Sequence, residues 1–214
     1  DGSRNGITMR RLKPKLGTKS VPTGEVEFHD ALGYALRSTP TGDGVGSESD
    51  AGGLGRMMEM VNGSRFGVSL MGLGIARRSF LEGTIWAHHR RAKGRLLVDL
   101  PLIREQLVDL LAELEAAFAL GFECAAAARS RDGNRLRRIL VPAAKVRLCR
   151  FGVEAASKAV ELHGGNGVML DFGIEKLFRD AAIFLHTDAT ADISRFKIIK
   201  AMFPAPAGGY AGTE

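Results

Sequence analysis

From Met57 to His163 apolar residues return every three or four positions, interrupted only where glycine, proline and asparagine mark turns. A period near 3.6 sustained over that length restricts the chain to packed helices. The first stretch carries Met57, Val61, Ser64, Val68, Met71 and Ile75, with Phe66, Leu70 and Leu73 on the opposite side, so this helix is expected to be buried on several sides. A second helix is predicted to open near Asp99 and Pro101, a capping residue followed by a first-turn proline, and to present Ile103, Leu107, Leu110, Leu111, Leu114 and Phe118 on one face. The Arg-Asp-Gly-Asn stretch at 131–134 is expected to end it. A third helix is predicted from about Pro142 to His163, striped by Ala144, Leu148, Phe151, Ala155, Ala159 and Leu162 and stopped by Gly164 and Gly165. Shorter helical segments follow around 174–184 and 191–202, before a Pro/Gly-rich tail. Three long helices of this kind pack as an antiparallel bundle.

The start of the chain has a different period. Ile7-Thr8-Met9-Arg10 and Glu25-Val26-Glu27-Phe28 alternate at period two, separated by Pro14, Gly17, Pro22 and Gly24, and read as two strands with their connection. Two strands do not make a stable domain alone, so they lean on the helices or belong to a larger sheet. From Thr39 to Gly55 the composition shifts to Gly, Ser, Thr and Asp, as in a joining loop. The fold class expected is mainly α, an antiparallel helical bundle preceded by a small β-strand remnant.

Charge and cysteine content narrow the partners. With a net charge of +6 and a pI near 9.6, the 214-residue chain suits a polyanion: nucleic acid, a membrane surface or the phosphates of a nucleotide. The basic clusters Arg90-Arg91-Ala92-Lys93-Gly94-Arg95 and Arg135-Leu136-Arg137-Arg138 also fit solvated helix ends. Cys124 and Cys149 stand in apolar helical patterns without metal-ligand spacing, which suggests neither a disulfide framework nor zinc. No apolar run is long enough to span a bilayer and no signal-peptide core is visible, so a soluble, cytoplasmic protein is expected.

No P-loop, metal-binding or G-x-S-x-G pattern is present. The one stretch that asks for a ligand is Leu162-His163-Gly164-Gly165-Asn166-Gly167, where glycines at a helix end let backbone amides approach a phosphate. The same glycines also suit a plain helix cap and tight turn. His163 and His186 are expected to pack rather than to act as bases.

Five segments in order resemble the acyl-CoA dehydrogenase family across essentially the whole chain. Lys15-Leu16-Gly17-Thr18-Lys19-Ser20 and Gly24-Glu25-Val26-Glu27-Phe28-His29-Asp30-Ala31 are similar to its last β-domain strands. Val61-Asn62-Gly63-Ser64-Arg65-Phe66-Gly67-Val68 and Gly72-Leu73-Gly74-Ile75-Ala76 resemble the first long helix of its C-terminal domain. Arg90 to Gly94 with Pro101-Leu102-Ile103-Arg104 stand where the family has Arg-x-x-Phe-Gly and the next helix, and His163-Gly164-Gly165-Asn166-Gly167 and Leu177-Phe178-Arg179-Asp180-Ala181 complete the series. On this resemblance residues 1–50 are the end of the middle β-domain and a linker, and 51–214 are the C-terminal helical domain. The family's N-terminal helical domain has no counterpart here, so the chain is expected to be incomplete and to bind FAD weakly by itself.

The resemblance implies an FAD-dependent enzyme that oxidises an acyl-CoA thioester to the trans-2-enoyl-CoA, works as a homodimer or homotetramer and passes electrons to an electron-transfer flavoprotein or another acceptor. It assigns FAD contacts to Arg90, Gly164, Gly165 and Gly167, reached across a subunit boundary, and to Thr190. The family's base is the Glu of a Glu-Gly-Thr segment, and Asp188 of His186-Thr187-Asp188-Ala189-Thr190 takes its place. An aspartate is shorter by about 1.5 Å of reach, so it serves only if the loop adjusts. Asp188 also suits a helix N-cap, as Thr190 and Asp192 do. The other base position known in the family, just before the Arg of the first helix, is Ser64 and cannot serve. Lys93 replaces the Phe of Arg-x-x-Phe-Gly, and Glu161 replaces the Gln that precedes the glycine turn. Alternatives within the superfamily are a flavin oxidase or monooxygenase acting on a non-CoA substrate such as a nitroalkane, for which an aspartate base is known, and a non-catalytic flavoprotein whose basic surface binds DNA.

Overall fold

The computed structural model describes residues 5–34, 53–129 and 133–203. Most of the expected linker, from Thr39 to Gly55, lies outside them. Three long helices, α1 (Gly53–His89), α2 (Pro101–Arg129) and α3 (Gly133–His163), run up, down and up, followed by α4 (Ile174–Phe184) and α5 (Ala191–Met202). The directions follow from who meets whom. Leu73 of α1 faces Gly121 of α2, Ala87 packs with Leu107 and Leu162, and Gly83 lies under Leu162 of α3. Helix α3 is the hub, packing against all four others. The core is Leu73, Ala76, Leu110, Leu114, Ala117, Cys124, Ala144, Leu148, Phe151 and Ala155. Among the described residues no helix is long and apolar enough to cross a membrane.

All six residues of the stripe read for α3 are buried. Helix α1 meets the expectation in part: Val68 and Leu73 are buried, but Met57 and Met71 are exposed, and a line of small residues, Ser69, Gly72, Ala76, Ser79 and Gly83, is buried as well. Small residues face α3 because the two backbones nearly touch. A Cβ on Gly72 would lie 2.9 Å from the Cys149 Cα, and one on Gly152 would lie 2.8 Å from the Gly72 carbonyl oxygen. Helix α3 also starts earlier than Pro142, at Gly133, and carries the proline inside it. Interior proline costs about 3 kcal/mol, but Val141 is buried, Leu140 packs on the core, and the Cys124 thiol bonds the Leu140 carbonyl at 3.5 Å. Packing upstream of the proline outweighs the break. Asp99 does not cap α2: it closes a 3-10 turn, Leu97–Asp99, and the Leu100 carbonyl accepts the first helical bonds from Ile103 and Arg104.

Strands β1 (Ile7–Leu12) and β2 (Gly24–Phe28) pair antiparallel, with a register shift between Met9 and Arg11. Every β1 residue is exposed, so this ribbon buries no face of its own. Its connection is tied to α4 instead. The Asp180 carboxylate accepts the Thr18 amide at 2.5 Å, and Arg179, paired with Glu175 at 2.6 Å, donates to the Leu16 carbonyl at 3.0 Å. Asp180→Ala is expected to raise amide hydrogen exchange at Thr18 by about tenfold or more, the worth of one bond to a charged acceptor, while leaving exchange in α2 unchanged. A uniform rise across the helices would contradict this tie.

Candidate functional site

Two groups of polar residues stand apart on the bundle. The first forms where α1 and α3 end together. Helix α1 stops at His89, and Arg90 follows, its amide bonded to the Trp86 carbonyl at 2.8 Å. The chain then makes a tight hairpin of β3 (Arg91–Ala92) and β4 (Arg95–Leu96), whose turn residues Lys93 and Gly94 have φ of +51° and +77°. Lys93, where the resemblance places a Phe, thus sits exposed on the turn. Helix α3 ends at His163, and the chain turns through Gly164, at φ +60°, into a 3-10 segment, Gly164–Val168.

These ends enclose a cleft of about 570 Å³ that brings together Arg90, Trp86, Gln106, Glu161, Gly164 and Gly165. Its floor is rigid. The His163 ring stacks on Trp86 at 4.6 Å and bonds the Ala159 carbonyl through Nδ1 at 2.7 Å, so it packs, as the sequence suggested. The Arg90 guanidinium lies 6.0 Å from the Trp86 ring centre. A Cβ on Gly164 or Gly165 would meet nothing within 4 Å, and both glycines are exposed at the cleft. Gly167 is different: it is buried, and a Cβ there would lie 2.2 Å from the Val160 carbonyl oxygen, so it seats the turn on α3. Glu161, the acid on the rim, is paired with Lys158 at 2.9 Å. A guanidinium, exposed glycines and an aromatic wall fit the phosphate and ring portions of a dinucleotide.

The second group surrounds the segment between α4 and α5. Asp188 and Ala189 both have positive φ, +58° and +120°, a conformation that costs L residues about 1–3 kcal/mol each. Two buried cations hold it. Arg65, 4% exposed, donates through Nε to the Asp188 carbonyl at 2.8 Å and through Nη1 to Asn62 at 2.9 Å. Lys145, 1% exposed, donates through Nζ to the carbonyls of Leu185 at 2.7 Å and Ala189 at 2.6 Å. Burial lowers the pKa of both cations, and the Asp188 charge opposes that shift in each. Asp188 does not cap α5. The cap position is Thr190, whose side chain makes no cap bond and lines a second cleft, of about 420 Å³, between α3 and α5. Cys149 also borders it, but burial pushes its thiol up to about 11, too high for a nucleophile at neutral pH.

Trp86, Arg65 and Lys145 were not singled out from the sequence. Trp86 is the chain's one tryptophan, and its spacing of four residues before Arg90 was the available signal. Arg65 and Lys145 each lie three or four positions from buried partners, Val68 and Ser69 for one, Val141, Leu148 and Cys149 for the other. That spacing marks a buried cation.

The bundle carries an arginine beside exposed glycines where α1 and α3 end, and separately an aspartate whose main-chain carbonyl is held by Arg65. Residues 51–203 match the family profile described as acyl-CoA dehydrogenase, C-terminal domain, and the chain belongs to the acyl-CoA dehydrogenase family. It is 31% identical over 205 residues to the putative acyl-CoA dehydrogenase AidB of Escherichia coli strain K12, covering 94% of this chain and 36% of that protein. It is 22% identical to CarC, a subunit of the caffeyl-CoA reductase-Etf complex of Acetobacterium woodii, covering 92% of this chain and 49% of CarC. Among solved structures, Caenorhabditis elegans ACDH-11 in complex with C11-CoA superposes with a TM-score of 0.83 at 25% identity, covering 98% of this chain and 34% of ACDH-11. The chain therefore spans between a third and a half of the length of these relatives.

Proposed function

We propose that the chain serves a flavin-dependent acyl-CoA dehydrogenase, which converts an acyl-CoA thioester to the trans-2-enoyl-CoA. The observation that carries this reading is the convergence of Arg90, Gly164 and Gly165, from the ends of two helices, on one cleft. In the reaction the Asp188 carboxylate takes the proton from the carbon next to the thioester carbonyl, and the double bond forms as the next carbon loses a hydride. FAD, when bound, supplies the hydride acceptor. Arg90 and the exposed turn at Gly164 and Gly165 would hold its pyrophosphate, with Gly167 seating that turn on Val160, and Thr190 would offer its hydroxyl. An electron-transfer flavoprotein as the next acceptor is supported by the complex named for CarC, and an acyl-CoA substrate by the ligand named for ACDH-11.

Arg65 lies within the first half of α1 and Arg90 just past its end, some 25 residues or about 37 Å apart at helical rise. One cofactor reaches both sets most simply if each site joins Asp188 of one copy to Arg90 and the glycine turn of another, which requires a homo-oligomer. Arg90→Ala is expected to weaken FAD binding about tenfold or more, the worth of one charge-assisted bond, as measured by quenching of Trp86 fluorescence. Co-expressing Arg90→Ala chains with Asp188→Asn chains, each behind the upstream portion its relatives possess, is expected to restore turnover to mixed oligomers, because one site in such a pair keeps both groups. Absence of restored turnover in mixed oligomers that both bind FAD would place the two groups in one copy.

The reaction itself is tested by incubation with straight-chain acyl-CoA thioesters and mass spectrometry of the products. Loss of two hydrogens is the expected result. The shorter Asp188 in place of glutamate favours one second reading, a flavin oxidase acting on a different carbon acid such as a nitroalkane. Oxygen consumption with a nitroalkane, and none with any thioester, would select it.

A further inference from the structure

We infer that Lys145 is a positioning residue for Asp188, fixing the direction of its carboxylate by gripping the carbonyls on either side of it. The inference rests on Asp188 being the base. Three observations carry it.

The first is the geometry of the grip. Leu185 and Ala189, whose carbonyls accept from Nζ at 2.7 and 2.6 Å, bracket Asp188 in sequence. Arg65 takes the Asp188 carbonyl itself at 2.8 Å from the α1 side. Helices α1 and α3 therefore hold the segment between them at three carbonyl oxygens, while the Asp188 side chain makes no hydrogen bond that would fix it directly among the described residues.

The second is strain. Asp188 and Ala189 stand at φ +58° and +120°, and the resemblance places glycine at 189, where no such penalty would arise. A segment in that conformation relaxes unless its surroundings over-determine it. Relaxation would turn the peptide planes on both sides of Asp188 and swing its carboxylate.

The third is cost. Lys145 is almost completely buried on a face shared with Val141, Leu148 and Cys149, and among the described residues it forms no salt bridge with a carboxylate. Burying an ammonium without an ion-pair partner is unfavourable, and a methionine of similar volume would fill the same space with no such cost. A buried charge spent on carbonyl oxygens beside a strained aspartate is explained by what it does to that aspartate. The charge of Asp188 also acts on Lys145, so the two groups are close enough to feel each other.

The test compares wild type, Lys145→Met and Lys145→Gln, each expressed behind the upstream portion its relatives possess and reconstituted with FAD. Stopped-flow flavin reduction is followed anaerobically with butyryl-, octanoyl- and palmitoyl-CoA. In Lys145→Met the limiting rate is expected to fall about ten- to a hundredfold, the effect of a displacement near 1 Å, while the half-saturating concentration changes by less than about threefold. Lys145→Gln, which keeps a donor for one carbonyl, is expected to fall between. Hydrogen exchange at residues 185–190 should accelerate in Lys145→Met, with exchange across 148–162 unchanged. A limiting rate within about twofold of wild type, or faster exchange along all of α3 together with weaker substrate binding, would overturn the inference. If Asp188→Asn reduces its flavin as fast as wild type, the base assignment fails by itself. Exchange at residues 185–190 then still decides whether Lys145 holds the loop.

Discussion

Asp188→Asn is expected to slow flavin reduction by acyl-CoA about 10²- to 10⁴-fold, the range contributed by a positioned general base, while FAD remains bound. Asparagine keeps the shape and tolerates the positive φ of this position, so the bonds from Arg65 and Lys145 to the neighbouring carbonyls survive. What is lost is the proton acceptor. Because Thr190, not Asp188, occupies the cap of α5, the substitution should leave thermal stability close to wild type, whereas removing a true cap costs about 1 kcal/mol. Stopped-flow reduction and thermal melting of the same preparation separate the two roles. A normal reduction rate with a lowered melting temperature would reverse the assignment.

The largest structural effect is expected at the crossing of α1 and α3. In Gly152→Ala the new methyl would stand 2.8 Å from the Gly72 carbonyl oxygen and 3.3 Å from the Gly72 Cα. Both neighbours are backbone and cannot rotate away, so the helices must part. Overpacking of this kind costs about 1–3 kcal/mol, a fall in melting temperature of roughly 2–10 °C for a domain of this size. Gly74, two residues from Gly72 and so on the other side of α1, exposed to solvent, provides the contrast: Gly74→Ala meets nothing within 4 Å and should gain about 0.5–1 kcal/mol from helix propensity alone. Melting followed by circular dichroism checks both signs. The crossing also matters to the site, because Arg65 and Lys145 reach the Asp188 segment from these two helices, and parting them loosens the grip.

How much of this was legible in the sequence differs from helix to helix. In α3 Leu148, Phe151 and Leu162 alternate with alanines at helical spacing, and the stripe from Ala144 to Leu162 is the buried face. In α1 Val68 and Leu73 are buried as read, but the methionines misled. Met57 and Met71 point outward, because close approach to α3 selects glycine, alanine and serine, which carry little hydrophobic signal. Pro142 read as a start because local preference favours one there, while the packing of Leu140 and Val141 that carries the helix through it is tertiary. The glycine turn was legible from its own residues and Arg90 from a resemblance; their meeting in one cleft depends on α1 and α3 running parallel and ending level, which no local pattern encodes. Arg65 and Lys145 were passed over because a charge in a helical pattern ordinarily marks the solvated side.

The central claim, that this chain helps an acyl-CoA reduce a bound flavin, is tested most directly by an anaerobic titration of the FAD-reconstituted protein, carrying the upstream portion its relatives possess, with a panel of acyl-CoA thioesters while flavin absorbance is followed. Bleaching by at least one thioester, lost in Asp188→Asn, is the result predicted. A flavin that stays bound and unbleached across the whole panel would contradict it.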